Sequence, residues 1–208
     1  MIGRKAIMAI SGVVLFGYVV GHLLGNLQVF LGRERINAYA AFLHATPSLL
    51  WGTRAILLAS VVFHVMSAVQ LARLSSAARP VGYHARGTIQ ASWSSRTMLW
   101  SGAAIALFVV YHLLHQTVGT AHPDFRPGDV YSNLVVGFRQ VPSSIAYIAA
   151  LVLLGMHLRH GGWAMVFSLG FARGGSFRGW RRFVFAFTVV LILGYISIPL
   201  AVMAGLVG

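Results

Sequence analysis

Five apolar runs dominate the chain, at about 5–30, 52–75, 97–120, 143–170 and 182–206. Each is long enough for a helix to cross a hydrocarbon core, which takes roughly 20 residues at about 1.5 Å of rise per residue. Proline, glycine and charge gather between them, over Gly32 to Pro47, Arg79 to Arg96, His122 to Pro142 and Gly174 to Arg182. The pattern predicts an all-α integral membrane protein, a bundle of five transmembrane helices making one transmembrane domain over 1–208. The spans read as continuous, with no clear internal repeat and no soluble domain. The run starting at Ala6 is too long for a secretory signal and shows no small-residue cleavage site, so it is expected to stay as an anchor.

Composition strengthens this picture. The sequence is 58% hydrophobic and 9% charged, whereas soluble domains carry about 25% charged residues. Lipid has to be the solvent. Cysteine is absent, which excludes a disulfide framework, thiol catalysis, cysteine-ligated iron–sulfur clusters and CxxCH heme attachment within this chain. The only acids are Glu34, Asp124 and Asp129, too few for paired-carboxylate chemistry. There is no Gly-rich phosphate loop either, so flavin, nucleotide or iron–sulfur steps belong to another chain.

Charge placement predicts direction. With the N-terminus cytoplasmic, the inner side holds Arg4, Lys5, Arg73, Arg79, Arg86, Arg96, Arg159, Arg173, Arg178, Arg181 and Arg182. The outer side holds Arg33, Arg35, Arg54, Arg126, Arg139 and all three acids. Basic residues in short loops favour the cytoplasmic face, so the N-terminus is expected inside and the C-terminus outside, in a bacterial cytoplasmic membrane. The basic inner surface has two readings, attraction to anionic lipid and a docking face for a soluble subunit. Nothing in the sequence suggests nucleic acid as a partner.

The histidines change the functional picture most. A lone intramembrane histidine is most often a helix-packing hydrogen bonder. Here the first four spans each carry one well inside the apolar run, His22, His64, His112 and His157. Helical rise puts His22 about 25 Å outward of Lys5 and His112 about 24 Å outward of Arg96. It puts His64 roughly 13 Å, and His157 roughly 15 Å, from the inner end of their spans. Two histidines at one depth, from two helices, can hold one heme iron from opposite faces. The predicted result is a pair of bis-histidine b hemes, closed to oxygen chemistry and suited to electron transfer.

Small residues accompany these positions: Gly21 and Gly25 beside His22, Ser60, Ser67 and Ala68 around His64, and Gly155 and Gly161 near His157. Close helix packing explains them equally well when taken alone. His115 and His160 lie one turn beyond His112 and His157 and are the alternative ligands on their helices. Depth favours His112 over His115, and it leaves His160, with Arg159, as a candidate contact for heme propionates. His44, His84 and His122 fall in loops and are expected to be solvated. For quinone, the inner candidates are Lys5, Ser11, Trp93, Ser94 and Arg96. The outer ones are Asn26, Gln28, Arg33, Tyr39 and Gln116. Interfacial anchoring is the competing reading for each of them.

The run KAIMAISGVVLFGYVVGHLLGNLQVF from Lys5 to Phe30, followed by Asn37-Ala-Tyr39, resembles one family over essentially the whole chain. Further matches are the FHV at His64, SRTMLWSG from Ser95, YHLLH from Tyr111 and HLRHGGW from His157. That family is the five-helix, di-heme cytochrome b membrane anchor of succinate:quinone oxidoreductases (succinate dehydrogenases and fumarate reductases). The resemblance implies that His22 and His112 ligate the outer heme and that His64 and His157 ligate the inner one. It also implies a flavoprotein subunit and an iron–sulfur subunit on the cytoplasmic face, with menaquinone or ubiquinone as the membrane substrate. Some members carry a membrane glutamate just before the ligand on the fourth span. Gly155 lies near that position here, so a carboxylate-based transmembrane proton path is not expected. Two other readings remain: the cytochrome b subunit of a quinone-linked hydrogenase or formate dehydrogenase, and a heme-free transporter that uses the histidines as relays.

Overall fold

The computed structural model describes residues 2–78, 97–170 and 177–208. Five long helices carry the chain back and forth: α1 Ile2–Asn26, α3 Pro47–Ala77, α4 Met98–Leu113, α6 Val141–Ser168 and α7 Phe177–Met203. All five are long and apolar enough to cross a membrane, counting the turns that extend α1 to Leu31 and α4 to Val118. Large apolar side chains point away from the bundle on every one, with Trp100 79% and Leu107 74% exposed. Such surface is stable only against lipid, and a helix is what satisfies every backbone polar group there. The chain is a multi-pass membrane protein. The spans fall within a few residues of the apolar runs, and α3 starts ahead of its run, at Pro47. Proline at the first helical position is already set to the helical φ and gives up an N–H that has no partner there.

Two shorter helices lie at one end of the bundle, α2 Arg33–His44 between α1 and α3, and α5 Val130–Arg139 between α4 and α6. Both occupy connections that composition marked only as punctuation. With the C-terminal residues they cover what we call the capped end. The largest buried apolar cluster sits there: Val29, Ile36, Leu134, Val135, Phe138, Tyr147, Ile198 and Val202 among others. The opposite, N-terminal end carries Arg4, Lys5, Arg73, Arg159, Arg178, Arg181 and Arg182 among the described residues, while Glu34, Asp124 and Asp129 all lie at the capped end.

The helices pack in the order α3–α1–α6–α4, and α7 covers the groove between α1 and α6. Tyr195 of α7 donates its hydroxyl to the Val19 carbonyl at 2.6 Å, and a Cβ on Gly194 would stand 3.0 Å from Leu23. The contact is therefore close, and a larger residue there would push Leu23 aside. The spans are not all continuous: α4 widens at Leu114–Val118 into a π turn that stops at Gly119, φ 87°. A Cβ at Gly119 would collide with Phe125, so both backbone and packing demand glycine there.

One polar network ties the cap together. Asn37 of α2 donates to Asp129 Oδ1 at 2.9 Å and accepts from the Tyr131 N–H at 3.0 Å. Asp129 caps α5 by accepting from the Ser132 N–H at 3.1 Å, and Arg33 lies 3.3 Å from its other oxygen. The Asn37 hydrogen bond, joined by Ser132, Arg33 and Arg126, holds the Asp129 carboxyl below its ordinary range against the opposing effect of burial. A carboxyl depressed in the folded state stabilises above its unfolded value and loses that contribution as pH falls through the folded one. Removing the cap with Asp129→Ala should cost about 1 kcal/mol, read as a lower unfolding midpoint in detergent. Between about pH 7 and pH 3 the wild type should lose more stability than Asp129→Asn.

Candidate functional site

Histidines from four different spans turn inward and meet in two pairs. The rings of His22 on α1 and His112 on α4 lie 5.8 Å apart between centroids, at 86° to each other. Those of His64 on α3 and His157 on α6 lie 6.3 Å apart at 59°. Neither pair joins neighbouring helices, because α1 and α4, like α3 and α6, make no extensive contact. Each pair therefore spans the bundle between helices that are not packed on each other. A metal held by two imidazoles, with bonds of roughly 2.0–2.1 Å, spaces their centroids by about 6 Å. Both pairs match that span.

Hydrogen bonds fix which ring nitrogen of each histidine is available. His64 Nδ1–H donates to the Met8 carbonyl at 3.2 Å, and a carbonyl can only accept. Ser11, also 3.3 Å from Nδ1, commits its own proton to the Ile7 carbonyl at 2.8 Å. His157 Nδ1–H donates to Ser101 Oγ at 3.4 Å, and Ser101 donates to the Met98 carbonyl at 3.1 Å. Both histidines are thereby held with the proton on Nδ1 and the lone pair on Nε2, the arrangement of a metal-ligating imidazole with a supporting partner. Gly12 and Gly102 lie under the two rings, where a Cβ would stand 3.4 Å and 3.5 Å from Cε1 of His64 and His157.

These contacts reveal a repeat that the sequence reading missed. Ser11, Gly12 and His22 on α1 recur with the same spacing as Ser101, Gly102 and His112 on α4. In both helices the Ser-Gly step supports a histidine of the following span, and the histidine further along joins the other pair. The signal was present, but only three positions carry it, and without contacts nothing marks them as related.

Toward the capped end a second histidine group is buried. His115 is fully buried and His122 is 9% exposed, their rings 5.0 Å apart. The expectation of a solvated His122 is thus corrected. α5 lies over it, His122 Nε2–H donates to the Asn133 carbonyl at 2.9 Å, and Nδ1 accepts from the Asp124 N–H at 3.1 Å. Gln116 Nε2 lies 3.1 Å from His115 Nδ1. The Tyr147 hydroxyl lies 3.0 Å from the same nitrogen and 3.1 Å from His112 Nδ1, so it joins the two histidines. His115 lies against Tyr111 and Tyr147, and the ring facing His22 is that of His112. Outside this group, Thr120, His122, Pro123, Gln140, Pro142 and Ser143 line an open cavity of about 410 Å³.

The other candidate residues scatter. Arg159 lies over the Phe185 ring at 5.1 Å, and His160 lies beside Trp163 at 6.3 Å. Among the quinone candidates, Ser11 serves His64, Asn26 donates to the His22 carbonyl at 2.7 Å, and Gln116 serves His115. Arg33 pairs with Asp129 and lies over Tyr131. Tyr39 covers Gly25, where a Cβ would stand 2.8 Å from its ring. Lys5 is exposed at the N-terminal end, Gln28 lies in the turn beyond α1, and His44 is exposed at the end of α2. Trp93, Ser94, Arg96 and His84 lie outside the described residues. No three His, Cys, Asp or Glu side chains gather as a metal-ion cage among the described residues. Axial ligation needs only two.

No protein-family model, curated protein or solved structure matches this chain.

Gly137 of α5 is the closest approach in the buried histidine group. A Cβ there would stand 2.9 Å from His115 Cε1 and 3.0 Å from both Gln116 Nε2 and His122 Nε2. Gly137→Ala should destabilise the capped end by about 1–3 kcal/mol through overpacking. Faster hydrogen exchange confined to α5 and the π turn would show it, and unchanged exchange there would contradict it.

Proposed function

We propose that the chain is the membrane anchor and cytochrome b subunit of a succinate:quinone oxidoreductase. In this reading His22 and His112 hold one b heme near the capped, outer face, and His64 and His157 hold a second nearer the N-terminal, cytoplasmic face. The observation that carries the reading is the pair of imidazole pairs, each crossing the bundle interior at the spacing that one shared metal requires. The Nδ1–H bonds of His64 and His157 support it, since they leave Nε2 free. Heme bound there supplies a one-electron carrier without an open coordination position. The chain's own part is to present the nitrogens, fix their tautomers and keep water out with apolar helices.

The basic N-terminal end supports an N-in orientation and offers a complementary surface for an acidic face of a soluble iron–sulfur subunit. The capped end, with its acids and open cavity, is the outer face on the same reading. Electrons would pass between the iron–sulfur subunit and membrane quinone through the two sites. A transporter reading draws less support. Transporter sites use helices broken near the midplane, whereas the π turn of α4 sits at the capped end.

Single alanine substitutions test the assignment. His22→Ala and His112→Ala should each remove the same heme, and His64→Ala and His157→Ala the other, leaving about half of the heme absorbance in each case. Loss of one heme by both His22→Ala and His64→Ala would refute the pairing.

A further inference from the structure

Three of the four candidate ligands have a supporting hydrogen bond, and one of these differs in kind. His64 and His157 rest on a helix carbonyl and on serines whose protons go to carbonyls of their own helix. The serines pass their protons only to backbone, so Ser101 under His157 is a donating hydroxyl but reaches no second side chain. His112 instead meets the Tyr147 hydroxyl, which lies 3.0 Å from His115 Nδ1 on its other side. A hydroxyl that is donating is a better acceptor, because successive hydrogen bonds polarise one another. The bond to His112 is also the shortest of these Nδ1 contacts, at 3.1 Å against 3.2, 3.3 and 3.4 Å.

The tyrosine is held firmly in that role. It is 6% exposed, and its ring meets Phe108 and Phe138 edge-on at 4.9 Å each. His115 is fully buried, with its Nδ1 3.0 Å from the hydroxyl. Its Nε2 is buried with no hydrogen-bond partner, so nothing on that side draws the ring away.

We propose that Tyr147 accepts from His112 Nδ1–H while giving its own proton to His115, and so is a positioning residue that sets the electron-donating strength of His112 and, through it, the reduction potential of the outer heme alone. The inference rests on the di-heme reading. A stronger bond from Nδ1–H raises the basicity of Nε2, which favours the ferric state and lowers the potential. Removing the hydroxyl should therefore raise the potential of the outer heme and leave the inner one unchanged.

The test is a redox titration of heme absorbance with low-spin EPR on purified wild type, Tyr147→Phe and His115→Leu. The outer component is assigned as the one missing from His112→Ala. Tyr147→Phe keeps the ring packing and should shift only that component upward, with a changed low-field g value. His115→Leu leaves the bond to His112 but removes the receiver, so it should give a smaller shift of the same sign. An unmoved outer component in Tyr147→Phe, or equal movement of both components, overturns the proposal. If Tyr147→Phe loses the outer heme, His115→Leu decides alone, and an unmoved potential there overturns it. A wild type without heme would instead refute the di-heme reading itself.

Discussion

An imidazole buried between membrane-spanning helices must find a polar partner inside the bundle, because lipid offers none. Three of the four such rings, those of His64, His157 and His112, find a polar partner on a neighbouring helix, and all four turn their rings toward each other in pairs across the interior. Much of the packing follows from that. Ser11 and Ser101 sit where a ring nitrogen needs an acceptor, and Gly12 and Gly102 are small where the rings lie. α7 closes the α1–α6 side and brings no histidine of its own.

The two ends of the bundle are built differently. The N-terminal end gathers basic residues among its described positions, while the buried apolar cluster belongs to the capped end. There α2 and α5 are stapled through Asn37 and Asp129, and α5 presses Gly137 onto three polar side chains. The His22–His112 pair lies toward this end, joined to His115 through Tyr147. The His64–His157 pair has backbone and serine partners on the adjoining helices. Two sites of similar geometry are thus placed in different electrostatic surroundings, which is how a protein gives two like cofactors different potentials.

Much of this was legible in the sequence, and the reasons differ from part to part. The five spans follow from hydropathy, since lipid leaves few alternatives to long apolar helices. The proximity of His22 to His112, and of His64 to His157, follows from constant helical rise in straight spans. The cap was not legible. α2 and α5 are short, mixed in polarity and stabilised by Asn37 and Asp129, residues far apart in sequence. His122 looked solvated because its loop is polar, yet α5 folds back over it. Tyr147 gave no signal, being one aromatic among many on an apolar helix. The serine supports look like isolated polar residues in the sequence, where Ser11 stands only among the quinone candidates.

The central claim is that the crossing histidine pairs are two heme sites. It is tested most directly by a pyridine hemochrome count with a reduced-minus-oxidised spectrum on the purified chain. The account predicts about two b-type hemes per chain with low-spin bands. A well-folded preparation holding no heme would contradict it.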